Sequence, residues 1–262
     1  MALPIYQIDA FTTDVFKGNP AAVCPLEQWP EDEVLQNIAA ENNLAETAFF
    51  VQRNDAFELR WFTPAVEVEL CGHATLASAH VIFNHLNYSG SIINFRTTKS
   101  GVLKVTQSDG RLLMDFPVDD VTEVPPPPEV LSALGITAAH CLKGRTDFLL
   151  VLKNQQTVDQ VKPDFRSLSE IDARGVIISA PGEHHDFVSR FFGPAVGVDG
   201  DPVTGSAHTT LTPYWSKRLN KNRLTAQQRS KRTGEIICEL KNDRVLLSGN
   251  AKTYLKGEIN LS

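Results

Sequence analysis

The chain has 262 residues, of which 42% are hydrophobic and 21% are charged, and its formal net charge is −6. This composition is typical of a soluble globular protein with room for two domains, and the negative charge argues against a nucleic-acid partner. No apolar run approaches the roughly 18 residues of a membrane span, so we expect no membrane partner. The four cysteines form no CxxC pair, which indicates a reduced, cytoplasmic protein.

Hydrophobic periodicity predicts the elements of the first half of the chain. One helix is expected to begin at Pro30, with acidic residues in its first turn, and to end near Asn42. A second helix is expected from Gly72 to about Leu86, and its apolar residues occur all round the helix, which indicates a buried helix. Strands are predicted at 4–11, 48–51, 57–62, 91–96, 101–107 and 111–117.

Four consecutive prolines at 125–128 stand near the midpoint of the chain and predict a linker. The second half is expected to contain a helix over about 205–219 and strands at 147–152, 175–179, 235–240, 244–248 and 251–256. We therefore expect an α+β protein with an N-terminal lobe at 1–122 and a C-terminal lobe at 129–262. Each lobe should be a curved mixed sheet around one buried helix. An alternative is that the C-terminal strand completes the first lobe.

A long repeat supports the two-lobe prediction. The run R-W-F-T-P-A-V-E-V begins at Arg60, and R-F-F-G-P-A-V-G-V begins 130 residues later at Arg190, with six of nine positions identical. Each copy leads into a small-residue helix start, at Gly72 and at Gly205. A repeat period of half the chain predicts two similar lobes, and the cleft between lobes is a natural place for a functional site.

Two carboxylates are candidates for acid–base chemistry. Asp201 lies before the second predicted helix start, in an insertion of three residues that the first copy lacks; the alternative is a turn or capping residue. Glu46 precedes a buried apolar strand, where burial would raise the pKa of its carboxyl group and suit it to act as base and acid. The alternative is an exposed loop glutamate.

The first predicted helix start carries two further candidates. His73 could act as a neutral polarising group or hydrogen-bond donor, or be a satisfied structural histidine. The thiol of Cys71 precedes the helix, whose dipole would lower its pKa. The run Glu183-His184-His185-Asp186 lacks the spacing of a metal site, so we expect a solvated loop there and no metal.

Seven short motifs then occur in order along nearly the whole chain: I-D-A-F at 8–11, G-N-P-A-A-V at 18–23, L-A-E-T-A-F at 44–49, F-T-P-A-V-E-V at 62–68, C-G-H-A-T at 71–75, D-P-V-T-G-S-A at 201–207 and S-G-N-A at 248–251. Together they resemble the PhzF family of phenazine-biosynthesis-like isomerases, which have the diaminopimelate-epimerase-like fold. The resemblance implies a pseudo-twofold pair of lobes, a homodimer and a site between the lobes that needs no cofactor.

The resemblance also assigns roles to residues. The glutamate that moves a proton on a dihydro-hydroxyanthranilate falls on Glu46, with Asp201 and His73 as supporting catalytic residues. Gly72, Gly205 and Ser206 fall where the family holds a substrate carboxylate, and Asn19 and Cys71 fall on further substrate-binding positions.

Two departures qualify this assignment. Ala45 stands where some members carry Ser, which puts one substrate hydrogen bond in doubt. Thr204 stands where related racemases keep a second cysteine, which disfavours a two-cysteine racemase. Two alternatives stay open: an amino-acid epimerase that uses Cys71 with another base, and a non-enzymatic ligand-binding or protein-interaction module.

Overall fold

Strands dominate this chain: a computed structural model, which describes residues 2–137 and 139–261, contains seventeen β-strands and six α-helices there. The chain divides into two units. The first comprises the residues up to Asp115 and the segment from Ser248 onward, and the second comprises Phe116–Leu247. Each unit combines a mixed sheet with one long buried helix, which confirms the predicted α+β class.

Elements are numbered in chain order. The first unit contains β1 (Ala2–Ala10), β2 (Asn19–Leu26), α1 (Asp32–Asn42), β3 (Glu46–Arg53), β4 (Ala56–Phe62), β5 (Glu67–Val68), α2 (Gly72–His85), β6 (Ile92–Arg96), β7 (Val102–Ser108) and most of β8 (Arg111–Pro117). The second unit contains β9 (Thr122–Glu123), α3 (Pro128–Leu134), β10 (His140–Lys143), β11 (Asp147–Val151), α4 (Gln155–Gln160), α5 (Phe165–Ser169), β12 (Gly175–Pro181), β13 (Phe187–Phe192), α6 (Gly205–Leu219), β14 (Arg223–Gln228), β15 (Gly234–Lys241) and most of β16 (Arg244–Gly249). The last strand, β17 (Ala251–Asn260), returns to the first unit.

The two sheets share one pattern of strand directions. In the first unit the pairs β1–β2, β2–β3, β3–β4, β4–β6 and β6–β7 alternate between antiparallel and parallel. The pairs β10–β11, β11–β12, β12–β13, β13–β14 and β14–β15 alternate in the same way in the second unit. The repeated sequence therefore corresponds to a repeated topology, with β4 and β13 in equivalent places.

The repeated R-x-F also has a common structural reason. In a strand, residues two apart lie on the same face. The guanidinium of Arg60 lies over the ring of Phe62, 5.1 Å from its centroid, and that of Arg190 lies over the ring of Phe192 at 4.7 Å. Each unit thus keeps one cation–π contact on the strand that leads to its buried helix.

The second predicted lobe, 129–262, extends too far along the chain. Residues from Ser248 onward belong to the first unit, because β17 pairs antiparallel with β1 from Ala2↔Asn260 to Ala10↔Ala251. The alternative in which the C-terminal strand completes the first lobe describes the structure. Such a long-range pairing leaves no local signal in the sequence.

The predicted proline linker is also wrong. The first unit ends at Asp115, and the four prolines lie within the second unit. Pro128 begins α3, where a proline at the first helical position loses no hydrogen bond, because the first N–H groups of a helix have no intrahelical acceptor.

The two long helices are buried as predicted. Nine residues of α2 are buried, and they include every residue from His73 to Ala79. In α6, Pro213 cannot donate to the carbonyl of Thr209, and the N–H of Asp119 donates to that carbonyl instead, at 3.3 Å. Among the described residues, none of the helices has the length and apolar character needed to cross a bilayer.

Candidate active site

In the first unit, β3 and α2 bring together Glu46, Cys71 and His73. Glu46 is the first residue of β3, which lies parallel to β2 with Ala21 opposite Glu46. Cys71 is the N-cap of α2 and His73 is its second residue, so both follow from the helix start that the C-G-H-A-T motif predicts. The side chain of His73 is 7% exposed and that of Glu46 is 17% exposed.

His73 lies between the other two side chains. Its Nε2 is 3.2 Å from Oε2 of Glu46, and its Nδ1 is 3.4 Å from Sγ of Cys71. The contact between Nε2 and Oε2 is within ion-pair distance but does not have the alignment of a hydrogen bond. Neither of these two atoms has a hydrogen-bond partner. The predicted proximity of Glu46 and His73 is therefore present in the structure.

The protonation of this cluster differs from the sequence-based prediction. Burial raises the pKa of the Glu46 carboxyl group, but the charge of His73 and the close polar contacts with His73 and Cys71 outweigh burial and lower that pKa below its usual range. Burial lowers the pKa of His73, yet contacts with Cys71 and Glu46 raise it well above its ordinary value. Glu46 is thus a carboxylate paired with an imidazolium, whereas the sequence predicted a raised pKa for Glu46 and allowed a neutral polarising role for His73.

The prediction of a lowered pKa for Cys71 is wrong as well. Burial, and then the negative charge of Glu46, raise the pKa of the thiol. These two effects outweigh the charge of His73 and the backbone N–H of Ala74, both of which lower the pKa of the thiol. Cys71 is therefore a neutral thiol, a weak nucleophile and a weak base.

The same three residues also have metal-ligand chemistry. Within the described part of the chain, their ligand atoms lie within 4.8 Å of one another. However, His73 faces the thiol with Nδ1 and the carboxylate with Nε2, and one ion takes only one ring nitrogen. The arrangement fits proton transfer better than metal binding.

Asn19 lies near this cluster along the sheet. It is the first residue of β2, fully buried, and two residues before Ala21, which pairs with Glu46. Asn19 and Ala21 share a face of the strand and are separated by roughly 7 Å along it. Its predicted role in substrate binding stays a prediction.

In the second unit, a hydrogen-bonded turn fixes Asp201 before α6. The Thr204 hydroxyl donates to Oδ2 of Asp201 at 2.5 Å. Gln228, which is fully buried, accepts from the Thr204 N–H at 2.8 Å and donates to the Asp201 carbonyl at 2.8 Å. Its amide nitrogen also lies 3.0 Å from the Thr204 hydroxyl oxygen, which leaves the hydroxyl hydrogen for Asp201.

His208 supports this turn from inside the unit. Its Nδ1 lies 2.7 Å from the carbonyl oxygen of Thr204, so Nδ1 carries the proton and donates it. Burial lowers the pKa of His208 to about 4, so the ring is neutral. The residue therefore stabilises the start of α6.

Gly205 and Ser206 begin α6 with different exposure. A Cβ added to Gly205 would meet only Leu247, at 3.9 Å, an ordinary contact, so packing within the unit does not require glycine there. Ser206 is exposed, and its Oγ accepts a hydrogen bond from Nη1 of Arg174 at 3.0 Å. Sequence reasoning missed Arg174 and Gln228, because each is an isolated polar residue far along the chain from its partners.

Comparisons with known proteins agree with the fold and with the motifs. The family model described as phenazine biosynthesis-like protein, PhzC-PhzF, matches residues 8–257. An uncharacterized isomerase of Pseudomonas aeruginosa is 49% identical over 261 residues, covering 100% of both chains. A crystal structure of a PhzF-family protein from Enterococcus faecalis has a TM-score of 0.97 and 47% identity, with 100% of both chains covered.

A more distant structure resembles the chain in fold alone. A probable proline racemase from Agrobacterium radiobacter has a TM-score of 0.63 at 9% identity, covering 99% of this chain and 93% of its own. The motifs, the repeated topology and the family match over residues 8–257 lead to one conclusion. This chain belongs to the PhzC-PhzF family of phenazine biosynthesis-like proteins.

Proposed function

We propose that this protein is a cofactor-independent isomerase in which Glu46 moves a proton from one carbon to another carbon of the same conjugated system in a small carboxylate-bearing substrate. The main supporting observation is the 3.2 Å contact between Glu46 and His73. It holds a largely buried carboxylate in the ionised state, which is the state that a general base needs. The isomerase name of the Pseudomonas relative supports the same class of reaction.

One carboxylate is enough to account for every proton in the proposed step. Glu46 accepts a proton from a carbon atom whose electron pair is delocalised into the substrate, and the protonated Glu46 then returns that proton to a different carbon. Its carboxyl group is ionised again at the end. His73 stabilises the charged form of Glu46 before and after the transfer and provides positive charge beside the reacting group.

The distances favour one base over two. A two-base epimerase needs a base on each face of the reacting carbon, each about 3–3.5 Å away, so the bases lie about 6–7 Å apart. The ligand atoms of Cys71 and Glu46 lie within 4.8 Å of each other, which is too close for a carbon between them. The raised pKa of the Cys71 thiol also disfavours it as a base. An epimerase built on Cys71 and Glu46 is therefore the weaker proposal.

The second unit supplies polar groups for binding. The Asp201 carboxylate, held by Thr204 and Gln228, would accept hydrogen bonds from an amino or hydroxyl group of the substrate. The N-terminus of α6, with Gly205 and Ser206, would bind a carboxylate, because the first N–H groups of a helix are donors without intrahelical partners. In the first unit, Gly72 at the start of α2 is the proposed substrate-binding residue of that helix.

Turnover of dihydro-hydroxyanthranilate and related amino carboxylates, followed by NMR in D2O, tests the assignment. Glu46→Gln should lower the rate by roughly a hundredfold or more, the size expected for the loss of a general base, and should leave the fold intact. Glu41→Gln is a matched control, because Glu41 is an exposed glutamate of α1. Undiminished turnover in the Glu46 variant would show that another group moves the proton.

The non-enzymatic alternative makes the opposite prediction. A ligand-binding or protein-interaction module would leave every candidate substrate unconverted, in the wild type as in the variant. The homodimeric state and the cytoplasmic location stay predictions, which sedimentation and cell fractionation would test.

A further inference from the structure

Arg174 forms a fixed connection between a buried carboxylate and the start of α6. We propose that Arg174 is a positioning residue that orients the Ser206 hydroxyl as a hydrogen-bond donor toward the substrate. The substrate atom beside Ser206 must then be an acceptor, such as a carboxylate oxygen. This inference rests on the proposed function, which has the substrate carboxylate bind at the start of α6.

The guanidinium of Arg174 is held at several points. Its Nε donates to Oδ1 of Asp147 at 2.9 Å, and its Nη2 donates to Oδ2 of the same carboxylate. The Asp147 side chain is 2% exposed. The guanidinium also lies over the ring of Phe191, 5.3 Å from the centroid. A two-point ion pair on a buried residue fixes the plane of the guanidinium, so the direction of Nη1 is fixed too.

Nη1 is the atom that reaches Ser206. Its N–H donates to Oγ at 3.0 Å. Because the serine oxygen accepts this bond, its single hydrogen points elsewhere. Among the described residues, the hydroxyl hydrogen donates to no protein group, and the side chain is exposed. Ser206 is therefore a donor whose hydrogen is directed away from Arg174, at the second position of a 15-residue helix.

Arg174 could either bind an anion directly or orient the Ser206 hydroxyl, and the surrounding charges favour the second role. Besides Asp147, the carboxylates of Asp119 and Asp201 interact with the guanidinium. These three carboxylates outnumber Arg174 and the nearby Arg145, whose Nε lies 3.9 Å from Asp119, so the charge of Arg174 is already compensated and it is poorly suited to attract an anion by itself. Orientation of the hydroxyl is the role that the geometry supports.

A double-mutant cycle tests whether Arg174 acts through Ser206. The probes are 3-hydroxyanthranilate and 2-aminophenol, which lacks the carboxylate, with binding measured by titration calorimetry. Ser206→Ala should weaken binding of 3-hydroxyanthranilate by roughly tenfold to a hundredfold, as expected for one hydrogen bond to a charged group. Arg174→Lys should cause a similar or smaller loss, because an ammonium cannot reproduce the fork geometry. The double variant should bind no more weakly than Ser206→Ala.

Two controls guard against a structural effect. Arg166→Lys changes an exposed arginine of the same unit and should leave both affinities unchanged. If Arg174→Lys unfolds, the paired change Asp147→Asn with Arg174→Met removes both charges together, which buried ion pairs often tolerate. It should give the same selective loss for 3-hydroxyanthranilate.

The proposal is overturned if the losses of the single variants add, if both probes are weakened equally, or if the wild type does not prefer the carboxylate probe. Failure of the proposed isomerase looks different. In that case the wild type would bind the probes as expected but transfer no proton, and Glu46→Gln would bind them as the wild type does.

Discussion

Replacing His73 by glutamine should change the protonation of Glu46. His73 is buried and its Nε2 lies 3.2 Å from the Glu46 carboxylate. Two unit charges at that distance attract by about 5 kcal/mol at an effective dielectric constant of 20. Burial opposes this attraction, so only part of it appears as a pKa shift, and about 1.4 kcal/mol corresponds to one pH unit. Without the imidazolium, burial should dominate, and the Glu46 pKa should change from below its usual range to above it.

Carbon-13 NMR of the side-chain carboxyl groups measures this directly, with Glu46→Gln used to assign the resonance. In the wild type the Glu46 signal should titrate at lower pH than a free glutamate, and in His73→Gln it should titrate at higher pH than a free glutamate. The two proteins should differ in the Glu46 pKa by at least about one pH unit. His184→Gln, which changes an exposed histidine of a loop, should leave the titration unchanged. An unchanged Glu46 titration in His73→Gln would refute the ion pair as the cause of the lowered pKa.

Three further predictions concern stability and thiol chemistry. Trp215→Ala should lower the free energy of unfolding in urea by about 3–5 kcal/mol. The reason is that Trp215 is fully buried, stacks on Phe187 and donates a hydrogen bond to Ser179. A loss below about 1 kcal/mol would contradict the packing described. Gly18→Ala should lower the free energy of unfolding by about 2 kcal/mol or more. Gly18 has φ +66°, and a Cβ there would overlap the Ala10 carbonyl oxygen. An unchanged free energy of unfolding would show that the turn at Gly18 has a different backbone conformation. The four cysteines, all buried and free, should react slowly with a thiol reagent at pH 8 until the protein is unfolded, and rapid labelling of the native protein would contradict their burial.

The sequence was most informative where local signals act. The predicted helix at 205–219 matches α6, because a glycine start and a run of small residues mark its N-terminus in the chain itself. The repeat predicted two similar units, and their common strand alternation follows from it. The long-range pairing of β17 with β1 has no such local signal, and neither does the contact of Arg174 with Ser206.

In the candidate site, too, the contacts between residues far apart in the chain could not be predicted from the sequence. Motifs identified Glu46 and His73, yet the pKa directions of both residues required their actual distance. Burial alone would raise the pKa of Glu46, and only the position of the His73 ring reverses the sign. The hydrogen bond from Gln228 to the Asp201 carbonyl could not be predicted from the sequence, because it depends on β14 lying beside the turn that contains Asp201.

The most direct measurement of the central claim is the fate of the transferred proton. Dihydro-hydroxyanthranilate with deuterium at the carbon that loses the proton would be converted in H2O for a single turnover, and the product analysed by mass spectrometry and NMR. A single carboxylate that carries the proton predicts that part of the deuterium appears at the carbon that gains the proton in the product, and that Glu46→Gln forms no product. Complete loss of deuterium to solvent in the wild type, or product formation by Glu46→Gln, would contradict the account.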